Sequence, residues 1–278
     1  MDQTKFNISI FGYHPAAYAE VKVKQLVRIA SPTKAIVVGI VLFATVIAEI
    51  AAIIFNVIVG ATIDGVLLFA MVNVAFFSRS DGMRKILIPL LLVPLLRILS
   101  LAIPIPHIMP IFWYLLVGIP LLLATFIVVR VIGVSKLSLR QSFMKLSFQI
   151  LFGLLGIPIG VLAAHLLSSP SSIVPGKTIG WIISGAVILT LFSALIEEII
   201  FRGLVQNVTL DSYGLIGLFI SSGLYAIMTV GTLSPGYMIF FGITGLLFAM
   251  WVKISGSLWG VILAHSLVNI IFLLLLAH

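Results

Sequence analysis

Long apolar stretches, separated by short clusters of charge, Pro or Gly, occupy most of this chain. Nine are read, at about 35–58, 63–78, 86–105, 110–132, 146–167, 179–206, 213–230, 236–253 and 257–276. Most come close to the roughly 20 apolar residues that a helix needs to cross hydrocarbon. They are continuously apolar rather than alternating, which argues against a transmembrane β-barrel. The turn-like stretch from Gly60 to Asp64 divides the first two, with Asp64 expected at an outer turn. Pro89 and Pro94 in the third predict a kink. The pattern therefore predicts an all-α, polytopic transmembrane bundle of about nine spans.

Composition and charge sharpen that picture. Hydrophobic residues make up 62% of the 278 and charged residues 9%, against about 25% charged in soluble domains. Mean hydropathy is +1.30. Lipid is the expected surroundings, and a multi-pass protein of the cell membrane is the expected class. The net charge of +8 sits largely in short loops, as membrane orientation requires, so no nucleic-acid partner is expected. With the N-terminus inside, Lys22, Lys24, Arg28, Lys34, Arg79, Arg84, Lys85, Lys136, Arg140, Lys145 and Lys253 all fall on the inner side, and Lys177 alone in an outer loop. This asymmetry predicts N-terminus in and C-terminus out. Residues 1–34 read as a cytoplasmic arm without a signal-peptide cleavage pattern. The absence of cysteine excludes disulfides, thiolate metal ligands and a cysteine nucleophile.

Candidate chemistry lies where polar groups fall inside apolar runs. Glu197 and Glu198 are adjacent in LFSALIEEIIFRGLVQ, although a carboxylate at the bilayer centre is disfavoured by about 2.5–3.5 kcal/mol. On a helix they point about 100° apart, so one can face a cavity while the other meets a neighbour. Arg202 follows Glu198 in the favourable i to i+4 order, which would neutralise Glu198 and leave Glu197 for chemistry. A plain ion pair at the helix end is the other reading. His265 and Asn269 share one face of the last span. Counted along their helices, Glu197 and His265 lie roughly 12–15 Å below the inner surface, so carboxylate, imidazole and amide can meet at one depth. Interhelical hydrogen bonding alone would also account for His265 and Asn269.

Two motifs carry a family resemblance. Glu197-Glu198-Ile-Ile-Phe-Arg202-Gly203-Leu-Val-Gln206 resembles the first motif (EExxxR) of the CPBP family, which includes type II CAAX prenyl endopeptidases and bacteriocin self-immunity (Abi) proteins. His265-Ser266-Leu-Val-Asn269 resembles its HxxxN motif. The resemblance covers roughly residues 145–276. It implies a protease domain at 145–278, preceded by transmembrane helices at 35–144 that carry no recognised motif. Two positions depart from the pattern. Between the two motifs the family has FxxxH, and here Tyr225 stands for the Phe and Thr229 for the His. Thr229 can donate a hydrogen bond but cannot hold positive charge.

The resemblance implies hydrolysis of a peptide bond in or beside the membrane, on a peptide or membrane-protein substrate. Glu197 would be the general base on a water, His265 would orient that water, and Asn269 would stabilise the oxyanion. Glu198 and Arg202 would hold the glutamate helix in register, and Thr229 would stand where a catalytic His is replaced. No cofactor is expected. A metal is allowed by family analogy but disfavoured, since one His and two adjacent Glu make a poor zinc set. Two other readings stay open. One is a catalytically impaired member acting as a membrane scaffold or an immunity or regulatory protein; the other is a transporter using Glu49, Arg97, Glu197 and Glu198. Glu49 and Arg97 are otherwise expected to pair with each other, and Asn56 and Asn73 to bond between helices. His14, His107 and His165 are assigned no role.

Overall fold

The computed structural model describes residues 32–103, 109–133, 146–167, 172–228 and 235–277. Nine apolar helical segments occupy these residues and correspond one for one to the runs read from the sequence. In chain order they are α1 (Pro32–Ile54), α2 (Val57–Phe77), α3 (Asp81–Ala102), α4 (Pro110–Ile132), α5 (Leu146–Leu166), α6 (Ile179–Tyr213), α7 (Ile216–Ile227), α8 (Pro235–Ser255) and α9 (Trp259–Leu275). Seven are long and apolar enough to cross a membrane, while α7 and α9 are shorter. The described residues contain no strand. Large apolar side chains such as Phe43, Phe69, Phe126, Ile183 and Ile243 are more than half exposed. A water-soluble fold would bury them; a lipid-facing surface explains them. The chain is an all-α, multi-pass membrane protein.

Local chemistry accounts for several breaks. α3 bends at Leu91, between Pro89 and Pro94, because each proline ring removes a backbone donor and crowds the preceding turn. The α1–α2 boundary falls at Asn56, not at Gly60 to Asp64. Asn56 is extended, and its side chain accepts from the Val59 N–H at 3.0 Å, which caps α2. Gly60 instead lets the two helices touch, since a Cβ there would lie 2.5 Å from that of Ala52. Asp64 is thus moved from an expected turn to the body of α2, where it is fully buried. Asn73 also departs from expectation, because it is half-buried and donates to Phe69 O within its own helix. Glu49 and Arg97 do pair: Arg97 Nη2 donates to Glu49 Oε2 at 2.6 Å, and Arg97 Nε meets Glu49 Oε1.

α6 and α9 form the centre. α9 packs against both halves of α5 and against the middle of α6, while α4 and α3 close the other side of α6. Glycines on α5 make the α5–α9 contact close. A Cβ at Gly153 would lie 2.4 Å from Leu263 Cδ2, one at Gly156 2.2 Å from the Ala264 carbonyl oxygen, and one at Gly160 2.9 Å from Ile271 Cβ. Small residues let membrane helices approach backbone to backbone, where dispersion contacts hold them. The tightest of these approaches abuts the residue just before His265, so it sets the depth at which the imidazole is presented.

Candidate functional site

π-helical turns frame the polar residues of α6 and α9. Residues 190–194 and 199–205 are π-helical and bracket Glu197 and Glu198. A third π-helical stretch, 270–275, begins directly after Asn269. Each widened turn rotates the side chains that follow it relative to an ideal α-helix, and such turns concentrate at functional sites. Nothing in the apolar pattern marks them.

The two glutamates have different surroundings. Glu198 is fully buried, and its Oε1 accepts from Arg202 Nη1 at 3.2 Å and meets His265 Nδ1 at 2.7 Å. Arg202, 1% exposed, also donates through Nη2 to the Gly245 carbonyl at 3.3 Å. Its guanidinium lies 4.2 Å from the centre of the Tyr225 ring, in cation–π geometry. Gly245 permits this, because a Cβ there would come within 3.0 Å of Arg202 Nη2 and 2.9 Å of Tyr225 Cδ1. The motif's Gln206 is buried as well and donates to Ala249 O at 2.9 Å, tying α6 to α8. Glu198, Arg202 and Gln206 therefore form an internal polar spine.

Glu197 faces the other way. Its side chain is 26% exposed, and its Oε2 lies 3.9 Å from His265 Nε2. Its Oε1 accepts a hydrogen bond from Ser193 Oγ at 2.9 Å. Asn269 Nδ2 in turn donates to Ser193 Oγ at 3.1 Å. An ionised carboxylate only accepts, so with Glu198 ionised and the imidazole neutral, the contact at 2.7 Å puts the imidazole hydrogen on Nδ1 and turns Nε2 as an acceptor toward Glu197. The structure thus brings Glu197, Glu198, Arg202, His265 and Asn269 into one connected cluster. Thr229 lies outside the described residues.

The cluster opens on a cavity of about 620 Å³. Glu197, His265, Asn269 and Ser193 line one part, and Arg97 and Ser100 of α3 line another. The remaining wall is largely apolar and aromatic, with Trp113 and Tyr114 of α4 and Phe192 of α6 among its members. A large, mostly apolar pocket with a few convergent polar groups is the usual form of a ligand site. Ser193 was missed in the sequence, although its spacing of four residues before Glu197 puts both on one helix face. Gly245 left no signal, because its role is set by a side chain 43 residues away.

The donor set fits a resident metal poorly. Glu198 Oε1 and His265 Nδ1 engage each other, and Glu197 Oε1 engages Ser193. Glu197 Oε2 and His265 Nε2 remain on the cavity, while Glu198 Oε2, buried without a hydrogen-bond partner, belongs to a residue that does not line it; catalytic zinc takes three protein ligands. Among the described residues no group of three or more His, Cys, Asp or Glu is placed to hold an ion.

Fold and site together define a class: a multi-pass helical membrane protein with a buried carboxylate–imidazole–amide cluster on an internal cavity. Residues 179–271 match a family model described as Type II CAAX prenyl endopeptidase Rce1-like. The matched segment, a third of the chain's length, is similar to the Rce1-like family of the CAAX prenyl endopeptidase (CPBP) group. The matched stretch runs from the start of α6 into the π-helical end of α9 and contains all five clustered residues. Comparison with curated proteins and with solved structures finds no match.

Proposed function

We propose that the protein is an intramembrane endopeptidase that hydrolyses a peptide bond with a water activated by Glu197. The observation that carries the reading is the 3.9 Å separation of Glu197 Oε2 and His265 Nε2 on the wall of one cavity; with the imidazole neutral and its hydrogen on Nδ1, both atoms are acceptors. One water spans that gap with a hydrogen bond to each. With both hydrogens so held, its lone pair is turned toward an incoming carbonyl carbon. Glu197 takes the proton as the oxygen attacks, and the carboxyl then passes it to the departing amine.

An oxyanion forms as the carbonyl becomes tetrahedral. An amide nitrogen carries two hydrogens, so the Asn269–Ser193 bond leaves one N–H of Asn269 to stabilise that charge. Glu198 holds His265 in the tautomer that offers Nε2 as acceptor, and Arg202 compensates Glu198. Thr229 supplies no imidazole where the family pattern has one, so His265 orients the water alone. The mechanism calls for no cofactor or metal.

The substrate in this reading is a peptide or membrane protein of the CAAX-processing or bacteriocin-processing kind, cleaved at the membrane. Residues 145–278 form the protease domain, and the helices within 35–144 supply the rest of the chamber. The test is cleavage of prenylated CAAX peptides and bacteriocin leader peptides by purified protein in liposomes. Wild type is expected to cleave and Glu197→Gln to lose at least a thousandfold in rate; equal cleavage by both overturns the mechanism. The departure at Thr229 favours a second reading, a catalytically silent membrane scaffold, for which neither protein cleaves any of these peptides while wild type still binds them.

A further inference from the structure

Serine and threonine inside a helix ordinarily return their hydroxyl hydrogen to the carbonyl one turn back. In this chain Thr45, Ser100, Ser184 and Ser266 do so, each at 2.7–2.8 Å. Ser193 does not. It is 5% exposed, lies on the π-helical stretch of α6, and gives its hydrogen to the Glu197 carboxylate. Its oxygen accepts from Asn269 across the helix interface.

Donor chemistry fixes the direction of this chain of bonds. The Asn269 nitrogen can only donate, so the serine oxygen must accept there. A hydroxyl has one hydrogen, and that hydrogen is committed to Glu197 Oε1. The bonds run from amide to hydroxyl to carboxylate without ambiguity. They pin one oxygen of a side chain that otherwise faces an open cavity, and they leave the second oxygen turned toward His265.

We infer that Ser193 is a positioning residue that, held by Asn269, fixes the Glu197 carboxylate in the orientation that activates water. The inference rests on Glu197 being the base, and it gives Asn269 a second task besides its oxyanion role. It also explains why serine and asparagine occupy these positions, since alanine or leucine would pack there without setting the carboxylate.

The relay can be read without catalysis. Dicyclohexylcarbodiimide enters bilayers and modifies intramembrane carboxyls; the Glu197 adduct is then followed by peptide mass mapping. A carboxyl freed from its donor turns into the cavity and meets the reagent sooner. Ser193→Ala should speed modification of Glu197 about tenfold, the scale of one hydrogen bond to a charged group. Asn269→Ala should do nearly the same although it does not touch Glu197. The double variant should be no faster than either single, and Ser193→Thr, which keeps the hydroxyl, should return the rate toward wild type. Unchanged labelling in Ser193→Ala or in Asn269→Ala, or effects that multiply in the double variant, overturns the relay. In the cleavage assay Ser193→Ala should lower kcat about tenfold and leave KM unchanged. If Glu197→Gln cleaves like wild type while the labelling pattern holds, the hydrolase reading fails and the relay stands. If Glu197→Gln is inactive while Ser193→Ala labels and cleaves like wild type, the relay alone fails.

Discussion

At the level of single residues, two adjacent carboxyls with the same chemistry are given opposite tasks by their surroundings. Glu198 is enclosed with Arg202 and His265, and removing one partner of a buried ion pair leaves the other uncompensated, at about 3–5 kcal/mol. Glu197 keeps contact with the cavity and has a hydroxyl rather than a cation as its fixed partner. Glu198→Gln should therefore lower the thermal midpoint of the purified protein markedly, and Glu197→Gln should leave it within a degree or two. Equal destabilisation by the two substitutions would contradict the division of labour. The sequence made this division legible in part. The i to i+4 spacing from Glu198 to Arg202 pointed to their pairing, and the adjacent position pointed Glu197 elsewhere. It did not reveal that His265 bonds to Glu198 through one nitrogen while facing Glu197 with the other, because that depends on the rotation of α9 about its axis.

At the level of elements, apolar length located the helices of the described residues, but the details that aim the side chains were hidden. No residue type announces the π-helical turns at 190–194, 199–205 and 270–275. The α1–α2 break was misplaced because Gly60 reads as a turn former, whereas here it is a contact point between helices, and Asn56 provides the cap. The same logic applies to α5, whose glycines hold α9 at close range. Gly156 faces the carbonyl of Ala264, next to His265, with no room for a methyl group. Gly156→Val should push α9 outward, carrying His265 away from Glu197. Peptide cleavage should fall by more than tenfold, a misplacement of about an ångström being enough for larger losses, with a lowered thermal midpoint. Gly180→Val on α6, where a Cβ meets nothing within 4 Å, should be tolerated. Equal effects of the two substitutions would contradict the seating role of Gly156.

For the whole molecule, the family match covers α6 to α9, yet the cavity is completed by helices outside it. Arg97, Ser100, Trp113 and Tyr114 come from α3 and α4, so the unmatched front half supplies part of the cavity wall. That half also has its own buried polar cluster. Glu49 and Arg97 pair between α1 and α3, and Asp64 lies on α2 with neither carboxyl oxygen hydrogen-bonded. Their pairing was legible, since each is a lone charge inside an apolar run; the burial of Asp64 was not, because its neighbours Gly60 and Gly65 imitate a turn. Arg97→Leu or Glu49→Leu alone should destabilise the protein by about 3–5 kcal/mol, and the double substitution by much less, because no uncompensated member of the pair remains. Additive losses in the double variant would show that the pair has no mutual dependence.

Water activation by Glu197 requires that its carboxylate face a water-filled chamber rather than lipid or packed protein. The chain has no cysteine, so single engineered thiols can be read without background. A charged, water-soluble thiosulfonate should react with Glu197→Cys and with Asn269→Cys in intact proteoliposomes. It should leave Leu191→Cys, on the exposed apolar surface of α6, and the fully buried Ile200→Cys unmodified. Reaction at 197 and 269 with protection at 191 and 200 is the predicted result; an inert thiol at 197, or one no faster than at 191, would contradict it.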